Sequence, residues 1–241
     1  MPPLMQSAVT NRLLSLMTAN DFELLAPHLT PAHLPRGFVL AEPDQQIKDV
    51  YFPDSGVVSM VAVSPEGTEV EAGVIGREGF ASTAPILWAD STPNRINAQI
   101  EGTAWRIERP AFAHVLDESS TLRELLSKFL QTLMVQTTYT ALSNAVHTVD
   151  ERLARWLLMC DDRMDEGEMA LTHEFMSVML AVRRPSVTTA LHVLEGNGFI
   201  QARRGCVVIR NRTAMEQFAG DAYGRPEAAY RQLIGEMRPP V

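Results

Sequence analysis

The chain opens on a helical rhythm. Leu13, Leu14 and Met17, then Phe22, Leu25 and Leu29, recur at helical spacing and predict helices over Asn11–Leu16 and Thr18–Leu29, the second capped by Thr18 or Asn20. From His33 the period changes. Short apolar segments follow at Phe38–Leu40, Asp49–Phe52, Val57–Val63, Glu69–Ile75, Asn97–Ile100 and Thr103–Ile107. Turn signals separate them, among them Arg36-Gly37, Pro53-Asp54-Ser55-Gly56, Pro65-Glu66-Gly67 and Gly76-Arg77-Glu78-Gly79. Many short strands at close intervals predict a jelly-roll-like β-roll. Gly73, Gly76 and Gly79 recur every third residue, lack a following Gly-Lys-Ser/Thr, and read as turn glycines rather than a phosphate cradle.

Helical spacing returns at Leu122. Leu122, Leu125, Leu126, Phe129, Leu130 and Leu133 form one stripe, and the apolar arc widens beyond Met134 to include Val135, Tyr139 and Leu142. No Gly or Pro interrupts the chain from Ala111 to Asp165, so this helix is expected to reach about His147. A widened arc suits a helix packed on two sides, against its own roll and against a second copy. The competing expectation is a helix packed on one domain only. A further helix, capped by Asp150, turns Leu153, Trp156, Leu157 and Cys160 inward and stops at Asp165-Glu166-Gly167.

The segment Leu171–Arg210 carries the clearest chemistry. Thr172 caps a helix whose buried face is Phe175, Val178 and Met179; Ala181-Val182 makes a turn; a second helix starts near Arg183–Pro185. Val187, Ala190, Leu191 and Leu194 point inward, while Pro185, Thr188, Thr189 and His192 face outward. Glu195-Gly196-Asn197-Gly198 ends this helix, and Phe199–Ala202 and Cys206–Arg210 form a hairpin around Arg203-Arg204-Gly205. Helix, turn, helix and hairpin in that order build a winged helix-turn-helix. Small outward residues let the second helix enter a major groove of double-stranded DNA, with Arg184 able to pair bidentately with guanine. The candidate DNA-binding residues are Arg183, Arg184, Pro185, Ser186, Thr188, Thr189 and His192 on the helix and Arg203 and Arg204 on the wing, where guanidinium groups lie on phosphates.

The net charge of −8 over 241 residues excludes a chain that coats nucleic acid indiscriminately. The charge is segregated, however: Thr172–Gly220 holds six arginines, Arg183, Arg184, Arg203, Arg204, Arg210 and Arg212, against Glu174, Glu195 and Glu216. The N-terminus lacks the pattern of a secretory signal, apolar runs are too short to span a bilayer, and two cysteines, Cys160 and Cys206, read as free thiols; the expected location is the cytoplasm.

The order of roll, long helix and winged helix-turn-helix resembles the Crp/Fnr family of bacterial transcription regulators. The likeness runs from about Asn11 to Arg212 and rests on VYFPDSGVVSMV, GVIGREGF, ERLARWLLM, LTHEFMSVMLAVRRPSVTTAL and GFIQARRG. It implies an α+β fold divided into N-terminal helices (1–30), a sensor-like roll (31–119), a dimerisation helix (120–148), a DNA-binding domain (149–220) and a tail (221–241) of helical or loose form. It implies a homodimer whose interface includes Leu122, Leu126, Phe129, Leu130, Leu133 and Thr137, recognition helices in successive major grooves of a two-fold symmetric site, and RNA polymerase as a further partner. Arg184, Pro185 and Thr189 fall on the family's base-reading positions; the family's familiar readers carry Arg, Glu and Arg there, so only Arg184 matches.

Family members that bind a cyclic nucleotide hold its ribose with a Glu and its phosphate with an Arg. Ala81, Ser82 and Thr83 occupy the region of the acid, and Arg95 echoes the second half of that cassette while also reading as a salt-bridged surface arginine. Thr137 and Thr138 fall where the family's base-contacting hydroxyls sit. Arg95, Thr137 and Thr138 are thus the candidate pocket for an effector other than cyclic AMP; no cofactor or metal is expected. Two alternatives compete: a cupin-like metalloenzyme, which would need a His-x-His pair that His28, His33, His114, His147, His173 and His192 do not supply, and an adaptor that has lost DNA binding.

Overall fold

Asn11 and Thr18 start the first two helices by accepting from backbone N–H groups three residues ahead, Leu14 at 3.1 Å and Asp21 at 3.2 Å. These helices are α1 (Arg12–Leu16) and α2 (Ala19–Leu25). The computed structural model describes residues 4–164 and 167–237. Seven strands follow: β1 (Thr30–Leu34), β2 (Val39–Ala41), β3 (Asp49–Pro53), β4 (Val57–Val63), β5 (Glu69–Ile75), β6 (Asn94–Ile100) and β7 (Gly102–Glu108). They form two antiparallel sheets, ordered β1-β7-β3 and β2-β6-β4-β5. The expected roll is therefore present, with one strand more than the apolar pattern showed. β1 has no alternating pattern and contains Pro31. It sits at a sheet edge, Pro31 opposite Trp105, where a missing N–H is tolerated.

α3 (Arg109–Glu118) leads from β7 into α4 (Ser120–Val146), which is capped by Ser119 accepting from Leu122 N–H at 3.0 Å. The inner face of the roll, α1 to α4 and Tyr230 share one core. At its centre Phe80 packs against Phe52, Phe112 and Phe129, with ring centroids 5.7, 6.2 and 5.4 Å away. Here the structure corrects the expected dimer seam. Leu122, Leu126, Phe129 and Leu133 are buried in their own protomer's core, while Leu130 and Thr137 are half-buried. The apolar stripe is a docking face for the roll.

Three glycines explain how α4 and the next helix approach so closely. A Cβ on Gly73 would lie 2.8 Å from the Gln136 amide oxygen, on Gly76 2.6 Å from Arg163 Cβ, and on Gly79 2.0 Å from the Phe129 ring. All three are sockets, and none has positive φ; Gly76 and Gly79 also bound the expected turn, Gly79 N–H donating to Gly76 O at 3.1 Å, whereas Gly73 lies inside β5. In the first socket the Gln136 carboxamide accepts from Val74 N–H at 2.7 Å and donates to Val74 O at 3.0 Å, satisfying the free edge of β5 as a strand would.

α5 (Val149–Arg163) begins at Thr148, not Asp150; the Glu151 carboxylate accepts from Thr148 N–H and hydroxyl, both at 2.8 Å. The expected stop at Asp165-Glu166 lies outside the described residues. α6 (His173–Met179), α7 (Arg184–Gly196), the hairpin β8 (Ile200–Arg203) and β9 (Cys206–Ile209), and α8 (Arg212–Ala219) surround a second core. That core includes Val57, Val61, Val74 and Ile100 of the four-stranded sheet, so this domain sits directly on the roll. The tail folds into α9 (Arg225–Leu233), which returns to pack on α4; Pro239 and Pro240 lie outside the described residues.

Candidate nucleic-acid interface

α6 is capped by Thr172, which accepts from Phe175 N–H at 3.3 Å. Its inward residues are Met176 and Met179; Phe175 and Val178, expected there, are half-buried. The turn to α7 places Ala181 in the left-handed region at φ 51°, a conformation that costs a residue with a Cβ about 1 kcal/mol. From α5, the Arg152 guanidinium donates to Leu180 O at the end of α6 and braces this turn. Pro185 occupies the first turn of α7, where an N–H has no intrahelical partner. Val187, Ala190, Leu191 and Leu194 anchor α7 in the second core.

The opposite face of α7 is open. Arg183, Arg184, Pro185, Thr189 and His192 are exposed, and Ser186 and Thr188 half-buried. Thr188 and Thr189 donate their hydroxyls to Arg184 O at 3.2 Å and Pro185 O at 3.1 Å. His173, which the sequence did not single out, reaches Thr188 Oγ1 at 3.1 Å and lines the same surface. A groove of about 780 Å³ runs between α7 and the wing, walled by Arg184 and His192 on one side and Arg203 and Arg204 on the other. Arg203 closes β8 opposite Cys206, leaving Arg204-Gly205 as the two-residue turn, with Gly205 at φ 75°. Glu195 fixes the wing to α7 by accepting from Ala202 N–H at 3.0 Å.

Among the described residues, Arg183, Arg184 and Arg204 have no protein partner, so their charge is free for an anion. Arg203 is within 3.4 Å of Glu168, and both are exposed. Arg212 is different. It pairs with Asp161, with Asp162 at 2.6 Å and with Glu216 at 2.8 Å, and belongs to the interior of the domain rather than its reading face. The basic surface is thus narrower than the six-arginine count suggested and is centred on the groove.

The candidate effector residues Arg95, Thr137 and Thr138 each already have a partner within the chain. Arg95 pairs with Glu42 at 3.1 Å and with Glu69. Thr137 and Thr138 donate back to Met134 O, both at 2.9 Å. A reading helix and basic wing, joined by a long helix to a β-roll, define a DNA-binding regulator rather than an enzyme.

The comparisons agree. The cyclic nucleotide-binding domain family matches residues 31–119, and the Crp-like helix-turn-helix domain family matches 151–218. Similar solved structures include the c-di-GMP-responsive global regulator CLP of Xanthomonas campestris, at 17% identity and TM-score 0.63, covering 80% of this chain and 99% of that one. FixK2 of Bradyrhizobium japonicum gives 19% identity and TM-score 0.63 over 78% of this chain and 96% of its own. A CRP-family transcriptional regulator of Thermus thermophilus gives 17% and 0.65 over 78% and 96%. At these identities the likeness establishes the fold. Among curated proteins, none matches the sequence significantly. The chain belongs to the Crp/Fnr family of transcription regulators.

Proposed function

We propose that two copies bind one two-fold symmetric DNA site, each laying α7 in a major groove and its wing on the flanking phosphates. The observation that carries this reading is the groove itself: exposed, unpaired Arg184 at the start of α7 faces exposed, unpaired Arg204 at the wing tip. Arg184 reads a base edge, and Arg183, Arg203 and Arg204 hold the backbone. Pro185 and Thr189, in place of the family's acid and second arginine, give this chain its own operator.

The dimer seam we infer is the face of α4 that its own fold leaves free. Glu124, Ser127, Gln131, Met134, Thr138, Ala141 and Ala145 are all exposed and recur at alternating intervals of three and four, the spacing of a two-helix seam. Met134 is 62% exposed and Leu142 beside the seam 45%, too much apolar surface for a helix meant to face water. A regulator of this kind works in the cytoplasm with RNA polymerase as a further partner; in support, no described helix is long and apolar enough to cross a membrane.

Selection of bound duplexes from a random pool with purified protein tests the reading. The expected product is an inverted repeat with half-sites about 10 base pairs apart. Enrichment of no duplex at low salt overturns it.

A further inference from the structure

We propose that the C-terminal helix α9 is an intrachain strut that fixes the DNA-binding domain on the roll, so that operator binding needs no cyclic nucleotide. This rests on the DNA-reading assignment above and adds what governs it.

The roll first fails as a nucleotide receptor on its own residues. A cyclic phosphate needs a free cation, and Arg95 is held between Glu42 and Glu69. The ribose needs an ionised acceptor, and Ala81-Ser82-Thr83 offers none. Thr137 and Thr138 have turned their hydroxyl hydrogens onto their own helix. An effector acts by binding one domain arrangement better than another; this pocket has little with which to bind.

The arrangement is instead fixed from inside the chain, with Glu78 as the hub. Its carboxylate accepts from Gly76 N–H at 2.9 Å and from Arg163 Nε–H of α5 at 2.8 Å, and this ion pair is 1–2% exposed. Arg77 Nε donates to Arg163 O at 3.1 Å, and the Arg163 stem fills the Gly76 socket. α9 closes the joint. Tyr230, 1% exposed, donates its hydroxyl to Glu78 O at 2.7 Å. Pro226 and Tyr230 lie against Phe129, Thr132 and Gln136 of α4, and Arg12 Nε donates to Glu236 O at 3.2 Å, tying the end of the chain to its beginning. α9 lies beyond both matched domain families, which end at residues 119 and 218. It covers neither the α7 groove nor the free seam of α4. Its described residues therefore set an orientation and leave both of those surfaces open.

Two measurements on the full-length protein test this. The selected operator is titrated with and without cyclic AMP or cyclic GMP, and the same titration is made with Tyr230→Ala. Amide hydrogen exchange of residues 76–79 and of the end of α5 is followed alongside. The expected results are unchanged wild-type affinity with either nucleotide, roughly 10-fold weaker operator binding by Tyr230→Ala because its reading domain is no longer held in place, and faster exchange at the joint. Tightening of roughly 10-fold by a nucleotide, or wild-type affinity in Tyr230→Ala, overturns the proposal. If no duplex binds, the DNA reading fails by itself, and the exchange data decide the strut: faster exchange at residues 76–79 in Tyr230→Ala, or in the milder Tyr230→Phe, supports it, and unchanged exchange in both rejects it.

Discussion

Glu71 permits a prediction whose size comes from the structure. It lies on β5, 5% exposed, where the roll meets the DNA-binding domain. Its carboxylate accepts from the Ser59 hydroxyl at 2.5 Å and from Trp156 Nε1–H of α5 at 2.7 Å. Burial pushes the carboxyl up to about 7 from its ordinary 4.5, although both hydrogen bonds and the nearby Arg155 and Arg163 of α5 pull it down. Cys160 of α5 also faces it, whereas Met179 of α6 brings no charge. The acid is thus more easily protonated in the folded chain. Its contribution to stability is fully present below pH 4.5 and is lost as pH rises through about 7. Above that, ionising a carboxyl in this site costs about 3 kcal/mol relative to the unfolded chain. Glu71→Gln removes the charge and keeps the contacts, since an amide oxygen accepts from Trp156 and an amide N–H donates to Ser59. Urea unfolding at matched protein concentration, from about pH 5 to about pH 8.5, checks this. Wild type is expected to lose stability across the range relative to the variant, which gains up to about 3 kcal/mol at the alkaline end. Parallel pH curves for the two proteins would refute the reasoning.

Three further outcomes are expected. Arg184→Ala should weaken operator binding by about 1–3 kcal/mol and relax preference at one base pair, whereas Arg204→Ala should weaken all duplexes alike and lower the salt slope by about 1; filter or fluorescence titrations over a salt series separate them. Met134→Arg should give a folded monomer in analytical ultracentrifugation, while Leu126→Ala should stay dimeric and lose about 2–5 kcal/mol of stability in a denaturant melt. Ala181→Gly should stabilise the domain by about 1 kcal/mol, because glycine accepts the left-handed turn without its steric cost, read as a raised unfolding midpoint.

The apolar periods predicted the roll, the long helix and the reading helix well, because each of those elements buries one regular face. Irregular burial defeated them. β1 is an edge strand with a proline, and its pairing is decided by β7 rather than by its own residues. α3 begins on Arg109-Pro110 directly after a strand, so no loop signal announced it. The stripe Leu122–Leu133 told that α4 packs but not on what; two partners, its own roll and a second copy, leave the same mark. α9 sat in a segment too polar for its few anchors, Pro226 and Tyr230, to stand out. Of the reading face, Arg184, His192 and the wing arginines were legible by position. Arg212 was miscounted because its acid partners, Asp161 and Asp162, lie some fifty residues away. His173 was missed because its contact with Thr188 exists only once two helices cross.

The two bonds between Gln136 and Val74 have a mechanical consequence. A single carboxamide grips one residue of β5 in both directions, like a tooth in a notch. Were α4 to slide or roll by one residue, donor and acceptor would both lose their partners inside a dry interior. Intermediate positions carry that full cost with no return, so the long helix cannot drift smoothly against the roll. It either keeps this notch or jumps to another, and any signal passed along it comes in steps.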